Sequence, residues 1–251
     1  MVSMMMVIEM GYVLIEGGVF DLSIPLERKN LWTGWGHHNN MGGIILMCMP
    51  APFYLSLVKK NGWIYCLLGN FAMLSCALSM SRNALLFGFI IYLVMFILVV
   101  KYSKGKERVN NLLVYLSCFT ITALCITIFN DTVYNLLYET ISRGFKSSGR
   151  IELYRKAIEE FKSSPLFGKG FYNNEIGQWG EYNPDSFLPG RYHNTIFQLL
   201  ASTGLFGVFA YIYHRYGTIK LVFNKFNISK LFIFISILSF LASSLFDCFF
   251  F

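Results

Sequence analysis

The chain has 251 residues, 55% of them hydrophobic and 14% charged, with a formal net charge of +7. Soluble domains carry about a quarter charged residues, and the apolar residues here run for nearly the ~20 positions that cross a bilayer, so a soluble globule is excluded. The excess of Lys and Arg falls in short gaps between apolar runs, which reads as topology and attraction to anionic membrane lipid, with no nucleic-acid partner.

In chain order, residues 1–20 form the weakest candidate span, because Glu9 and Glu16 are costly in lipid unless they face protein. The opening "MVSMMMVIEMGYVLIEGG" lacks a basic n-region and a small-residue cleavage site, so it does not read as a signal peptide. Six stronger spans follow at roughly 41–58, 62–80, 83–100, 111–129, 194–213 and 231–250. Long runs without two-residue alternation mean helices, since lipid leaves backbone polar groups to be satisfied internally. The expected fold class is all-α: a polytopic transmembrane helical bundle forming a single membrane domain over 1–251, with one long external loop.

Lys59-Lys60, the cluster Lys101, Lys104, Lys106 and Arg108, and the set Arg215, Lys220, Lys225 and Lys230 mark the gaps 59–61, 101–110 and 214–230 as cytoplasmic. The segment 21–40, the tight turn at Ser81-Arg82 and the segment 130–193 then lie outside. Cys48, Cys66, Cys76, Cys118, Cys125 and Cys248 all lie within apolar runs without CxxC spacing, and read as small core hydrophobes.

The external segment 130–193 carries eight Lys/Arg against eight Asp/Glu, so it is not a polybasic arm. Within it the spacing predicts an amphipathic helix over 150–163. Ile151, Tyr154, Ala157, Ile158 and Phe161 share one face, and Glu152, Arg155, Lys156, Glu159 and Lys162 take the other. Pro165 stops this helix, and Gly168 and Gly170 permit a sharp turn. The helix is expected on the outer membrane surface or capping the bundle. The stretch "YNNEIGQWGEYNPDSFLPG" that follows is turn-rich and aromatic, in keeping with a loop over a site.

Four polar residues sit at external boundaries. Arg82 is either a snorkelling arginine at the turn or a ligand for an anionic headgroup or pyrophosphate. Arg150 opens the amphipathic helix, where an arginine does nothing for the dipole; it is either simply solvated or, with the free N–H groups, a phosphate contact. His193 starts a span, either as an interfacial histidine or as a base whose neutral imidazole takes a proton from a sugar hydroxyl. Arg191 reads as a second phosphate contact or an anchor, and Asn194 and Thr195 as caps or as residues orienting the ring. His37-His38 has no third ligand nearby, "FGKGF" lacks P-loop spacing, and the sequon at Asn227 falls in a cytoplasmic gap. Asp247 is an intramembrane acid with no nameable partner. No metal site and no cofactor are expected.

These features occur in a recognisable order. The "SR" turn is followed by two spans, then by "GRIELYRKAIEEFKSSPLFGKGF", then by "HN" entering a helix that contains "STGLFG". Gly149-Arg150, Pro165 to Gly170, His193-Asn194 and Gly204 to Gly207 form the series GR, helix, P-x-x-G-x-G, HN, G-x-x-G. The pattern resembles the O-antigen ligase and O-antigen polymerase family of bacterial polysaccharide assembly, over about 37–210, and "GHHNNMGGIILMCMP" resembles its segment where an asparagine enters an earlier span.

The resemblance implies a GT-C-like membrane glycosyltransferase of the bacterial cytoplasmic membrane, with its active site on the outer face. It would move a glycan from an undecaprenyl-pyrophosphate carrier to an acceptor hydroxyl without a metal. By position, Arg82 and Arg150 match arginines holding the donor pyrophosphate, and His193 matches the histidine that activates the acceptor. Arg191 is carried over only as a neighbour. Implied partners are the lipid-linked glycan, an acceptor glycan or lipid, and other polysaccharide-assembly proteins. Repeat-unit polymerase is the favoured reading, because external aromatics suit a glycan, with a ligase to lipid A core or protein as the alternative. The chain is short for this family, and its start and its "DCFFF" end suggest a truncated or mis-started frame, which keeps a non-catalytic remnant open. A lipid-linked glycan transporter is the other alternative, disfavoured because the charges cluster at boundaries and not deep in repeated spans.

Overall fold

The computed structural model describes residues 8, 12, 32–33, 36–79, 81–128, 150–170 and 192–246. Most of the 1–20 candidate, most of the 130–193 segment, Arg191 and Asp247 therefore lie outside the described residues. The described chain is helical apart from a two-residue antiparallel ladder, in which β1 (Trp32–Thr33) pairs with β2 (Gly36–His37). The helices are α1 (His38–Cys48), α2 (Pro50–Val58), α3 (Gly62–Leu78), α4 (Arg82–Tyr102), α5 (Gly105–Ile128), α6 (Arg150–Ser163), α7 (Thr195–Phe223) and α8 (Ile228–Ser244). Asn40–Val58, Asn83–Tyr102 and Thr195–Phe223 are long and apolar enough to cross a membrane, and Gly62–Cys76 and Ile228–Ser244 are shorter apolar helices. This is a helical membrane protein.

The chain divides into two compact units, one of Met1–Gly144 with Phe226–Ser243 and one of Phe145–Lys225 with Ser244–Phe251. In the first, α3 packs on α2 and α5, and α4 packs on α1, α2 and α3. The core holds Met41, Leu46, Met49, Phe53, Cys66, Cys76, Met95 and Val99. Phe53 stacks on Tyr115 at 5.8 Å, and Phe96 meets the same ring edge-on at 4.9 Å. The Tyr92 hydroxyl donates to Asn70 Oδ1 at 2.5 Å, while Asn70 Nδ2 donates to the Cys66 carbonyl at 2.8 Å. Asn70 and Tyr92 thus satisfy one another in this apolar interior, as a medium without water favours, whereas the buried Tyr115 hydroxyl has no hydrogen-bond partner among the described residues.

Pro50 breaks the first apolar run into α1 and α2. Proline has no N–H, so the Leu46 carbonyl loses its helical donor. Ser239 Oγ of α8 lies 3.1 Å from that carbonyl, sharing its proton with the Ser236 carbonyl at 2.8 Å. Asn83 Nδ2 donates to the Ser243 carbonyl at 3.3 Å, a second tie between α8 and the same unit. At the other end of α8, Asn227 Oδ1 accepts from the Lys230 N–H at 3.0 Å, so the residue of the sequon is a helix cap.

Two element ends differ from the sequence reading. α7 runs on to Phe223, through half of the gap expected at 214–230, before Asn224 and the left-handed Lys225 (φ 50°) end it. Its extension carries no proline, its glycine, Gly217, stays helical, and the Arg215 guanidinium lies 4.8 Å over the Tyr211 ring, one turn earlier. α5 starts at Gly105, whose φ of +49° closes the turn after Ser103, so Lys106 and Arg108 are helical. Ser103 ties that turn together, its carbonyl accepting from Arg108 Nε and its hydroxyl from Asn111 Nδ2, both at 3.0 Å.

α1 and α4 touch at small residues: a Cβ on Gly42 would sit 2.6 Å from Ala84 Cβ. Backbones approach this closely only across such residues. Gly42→Ala is expected to destabilise the first unit by about 1–3 kcal/mol through overpacking, read as a lower thermal unfolding midpoint in detergent. Gly217→Ala is the control, because a Cβ there meets nothing within 4 Å, and it should leave the midpoint unchanged or raise it.

Candidate functional site

The second unit is built where α6 lies along the first half of α7. Its core is Leu153, Ala157, Tyr192 and Ala201, with Phe197 packed against it. Tyr154 stacks flat on Phe197, with ring centroids 4.3 Å apart and planes 9° off parallel. The buried face of α6 is therefore Leu153, Ala157 and Glu160, with Tyr154 and Phe161 half-buried. This corrects the expected apolar face: Ile151 is 59% exposed and Ile158 40% exposed. The buried face includes a carboxylate, and that carboxylate has a partner. The Tyr192 hydroxyl donates to Glu160 Oε2. Burial, together with that hydrogen bond and the adjacent carboxylate charge, holds the Tyr192 phenol above its ordinary range, so it remains a donor.

The P-x-x-G-x-G segment after α6 closes onto a break in α7. Gly204 has φ 61° and ψ −157°, outside any helix, and its neighbours lose their ladder partners there. The segment supplies substitutes. The N–H groups of Lys169 and Gly170 donate to the Ala201 and Ser202 carbonyls at 2.8 and 2.9 Å. In return the N–H groups of Leu205 and Phe206 donate to the Pro165 and Leu166 carbonyls at 2.9 and 3.2 Å. Both glycines at the crossing are obligatory. A Cβ on Gly168 would lie 2.4 Å from Ser202 C, and one on Gly204 would lie 2.5 Å from Leu166 C. Two motifs that look separate in the sequence are one interlocked piece of backbone.

Just before α7, Asn194 caps the helix, its Oδ1 accepting from the Ile196 and Phe197 N–H groups at 2.8 and 3.2 Å. Its Nδ2 donates to the Leu245 carbonyl at 2.7 Å. The Tyr192 N–H donates to Gln198 Oε1 at 3.0 Å, and Gln198 Nε2 reaches Ser202 Oγ at 3.1 Å. Between these two clamped residues His193 takes φ 51°, a left-handed conformation that is uncommon for residues other than glycine. Thr195, 1% exposed, has a hydroxyl with no hydrogen-bond partner among the described residues. A left-handed backbone and an orphan hydroxyl within three residues are features that concentrate at functional sites.

Arg150 is the half-buried first residue of α6, and His193 is half-buried ahead of α7, so both belong to the second unit. The Tyr154–Phe197 stack brings the early turns of those two helices together. Arg82 is the first residue of α4, in the first unit, after Ser81, whose Oγ accepts from the Ala84 N–H at 3.4 Å.

A family model described as O-antigen ligase matches residues 64–212, more than half of the chain. The chain belongs to the O-antigen ligase family. No curated protein and no solved structure gives a match. The matched stretch takes in Arg82, Arg150, His193 and the Gly204 break. Membership makes this a multi-pass membrane protein of O-antigen ligase and polymerase type, a glycosyltransferase-like enzyme of glycan assembly. Its partners are, in general terms, a lipid-linked glycan and a polysaccharide acceptor.

Glu160, Tyr192, Gln198 and Ser202 escaped the sequence reading. The available signal was Glu160 itself, an acid placed at i+3 from Ala157 on the face that carries Leu153. Gly168→Ala and Gly204→Ala should each open the interlock and expose the 164–170 segment to limited proteolysis in detergent. Gly170→Ala should be milder, since a Cβ there meets nothing within 4 Å and only its φ of +86° is strained, a cost of about 1 kcal/mol.

Proposed function

We propose that this protein transfers a glycan from an undecaprenyl-pyrophosphate carrier to an acceptor hydroxyl, on the outer face of the bacterial cytoplasmic membrane. Arg82 and Arg150 neutralise the pyrophosphate leaving group, which lets it depart without a metal ion. Arg150 is well suited to this, because it stands where the free N–H groups of α6 also favour an anion. His193 accepts the proton of the incoming hydroxyl as the new bond forms at the anomeric carbon. A single displacement of this kind inverts that carbon. Arg191 adds charge beside His193, and Asn194 fixes the backbone that carries it.

The observation that carries the reading is the left-handed His193, clamped on both sides at the mouth of an apolar helix inside the family match. That boundary is where a lipid-linked pyrophosphate presents its sugar. We take the acceptor to be a second lipid-linked repeat unit, which makes the enzyme a polymerase. The aromatic residues Phe171, Tyr172, Trp179, Tyr182 and Phe187 of the preceding segment supply faces for a growing glycan.

In a strain lacking the gene, His193→Ala, Arg82→Ala and Arg150→Ala, each expressed at the normal level, are expected to leave surface polysaccharide unrestored. Arg82→Lys should restore it only weakly, since lysine keeps the charge but not the fork geometry. Full-length polysaccharide from His193→Ala would exclude its role as base. Loss of a polymerase leaves single repeat units on the acceptor, whereas loss of a ligase leaves finished polymer on the carrier lipid. Gel analysis of the two fractions separates them.

A further inference from the structure

His193 holds its left-handed backbone between two residues that are themselves fixed by hydrogen bonds. One clamp, Asn194, is a helix cap that α7 would need whatever its function. The other is not required by either helix. Tyr192 is 3% exposed and is gripped at both ends, by Gln198 at its backbone N–H and by Glu160 at its hydroxyl. Gln198 is itself anchored on Ser202, beside the interlocked break at Gly204. Glu160 belongs to α6, the helix that begins with Arg150.

Placing a carboxylate on the buried face of α6 is costly unless it gains a specific partner. The neighbouring Glu159 is exposed and incurs no such cost. An apolar pair would pack this contact at least as well. What the polar pair adds is direction: it fixes the residue next to His193 against a rigid helix that starts at Arg150.

We propose that Glu160 and Tyr192 are positioning residues for glycosyl transfer, their hydrogen bond setting where His193 stands relative to α6. The inference rests on His193 acting as the base. Tyr192 passes the constraint through one peptide unit, so a slack Tyr192 frees the imidazole without removing it. Reacting groups displaced by an ångström or less lose turnover while the donor still binds. The signature is therefore a fall in kcat with donor KM preserved.

The test uses the full chain in nanodiscs, with lipid-linked glycan extracted from a strain lacking the gene as donor and acceptor. Tyr192→Phe keeps the ring in its packing and removes only the hydroxyl. It is expected to lower kcat about 10-fold, with donor KM and the unfolding midpoint near the wild-type values. Glu160→Ala should behave alike, and Glu160→Gln, which retains an acceptor oxygen for the phenol, should recover at least half of the lost rate. If Tyr192→Phe lowers the unfolding midpoint, the contrast between Glu160→Gln and Glu160→Ala carries the test. Wild-type kcat in Tyr192→Phe, or equal impairment in Glu160→Gln and Glu160→Ala, overturns the proposal. Wild-type kcat in Tyr192→Phe beside an inactive His193→Ala overturns the positioning role alone, whereas an active His193→Ala overturns the base assignment beneath it.

Discussion

A peptide group that leaves the helical ladder inside a bilayer finds no water to bond, and that constraint governs this protein at its two irregular points. At Pro50 the unpaired group is the Leu46 carbonyl, and a serine hydroxyl from α8 approaches it from far along the chain. At Gly204 the unpaired groups are two carbonyls and two N–H groups, and the turn after α6 supplies the matching set. In each case the irregularity ties together segments that lie far apart in the chain. Breaks that would be defects in isolation thus become the fixed points of their units.

The second of these points bears on chemistry. With the turn after α6 locked into α7, the two helices form one frame, and Tyr154 on Phe197 closes its other end. His193 hangs on that frame between two clamped residues, and Arg150 starts one of its members. The base and the phosphate-binding group proposed above would need fixed geometry more than proximity in sequence. Here the fixity comes mainly from backbone pairing and from one buried carboxylate, not from a large apolar core. That would suit the transfer proposed above, in which lipid-facing surface stays free for a prenyl carrier.

The helices were legible because a bilayer demands runs of apolar residues, and such runs announce themselves without tertiary information. α6 was legible too, with its bounds at 150 and 163, and Asn194 could be read as a cap from its place before an apolar run. What stayed hidden depends on pairs remote in sequence. From sequence alone Glu160 has no place on either face of the helix, since its partner Tyr192 lies 32 residues on. On the same helix Ile151 and Ile158 are exposed. The onward run of α7 past the expected boundary had a different cause: basic residues are good helix formers, so charge marks a membrane edge without marking a helix end. The P-x-x-G-x-G and G-x-x-G motifs were visible, but their mutual fit was not, since nothing local says that Gly168 and Gly204 cross.

The hydrogen bonds of the interlock at Gly204 are all between main-chain atoms, with the Phe167 and Phe206 rings stacked beside them at 5.0 Å, and this has a bearing on how freely the sequence can drift. Leu166 contributes a carbonyl that any residue would offer, and Lys169 an amide that any residue other than proline would offer. Only the crossing glycines are dictated by shape, with Pro165 and Gly170 shaping the turn. The side chain of Lys169 takes no part in those bonds and is thereby released to suit its surroundings, while the scaffold beneath keeps its form. A sparse signature with wide tolerance is what such a joint would leave in a lineage of enzymes that must keep pace with changing glycans.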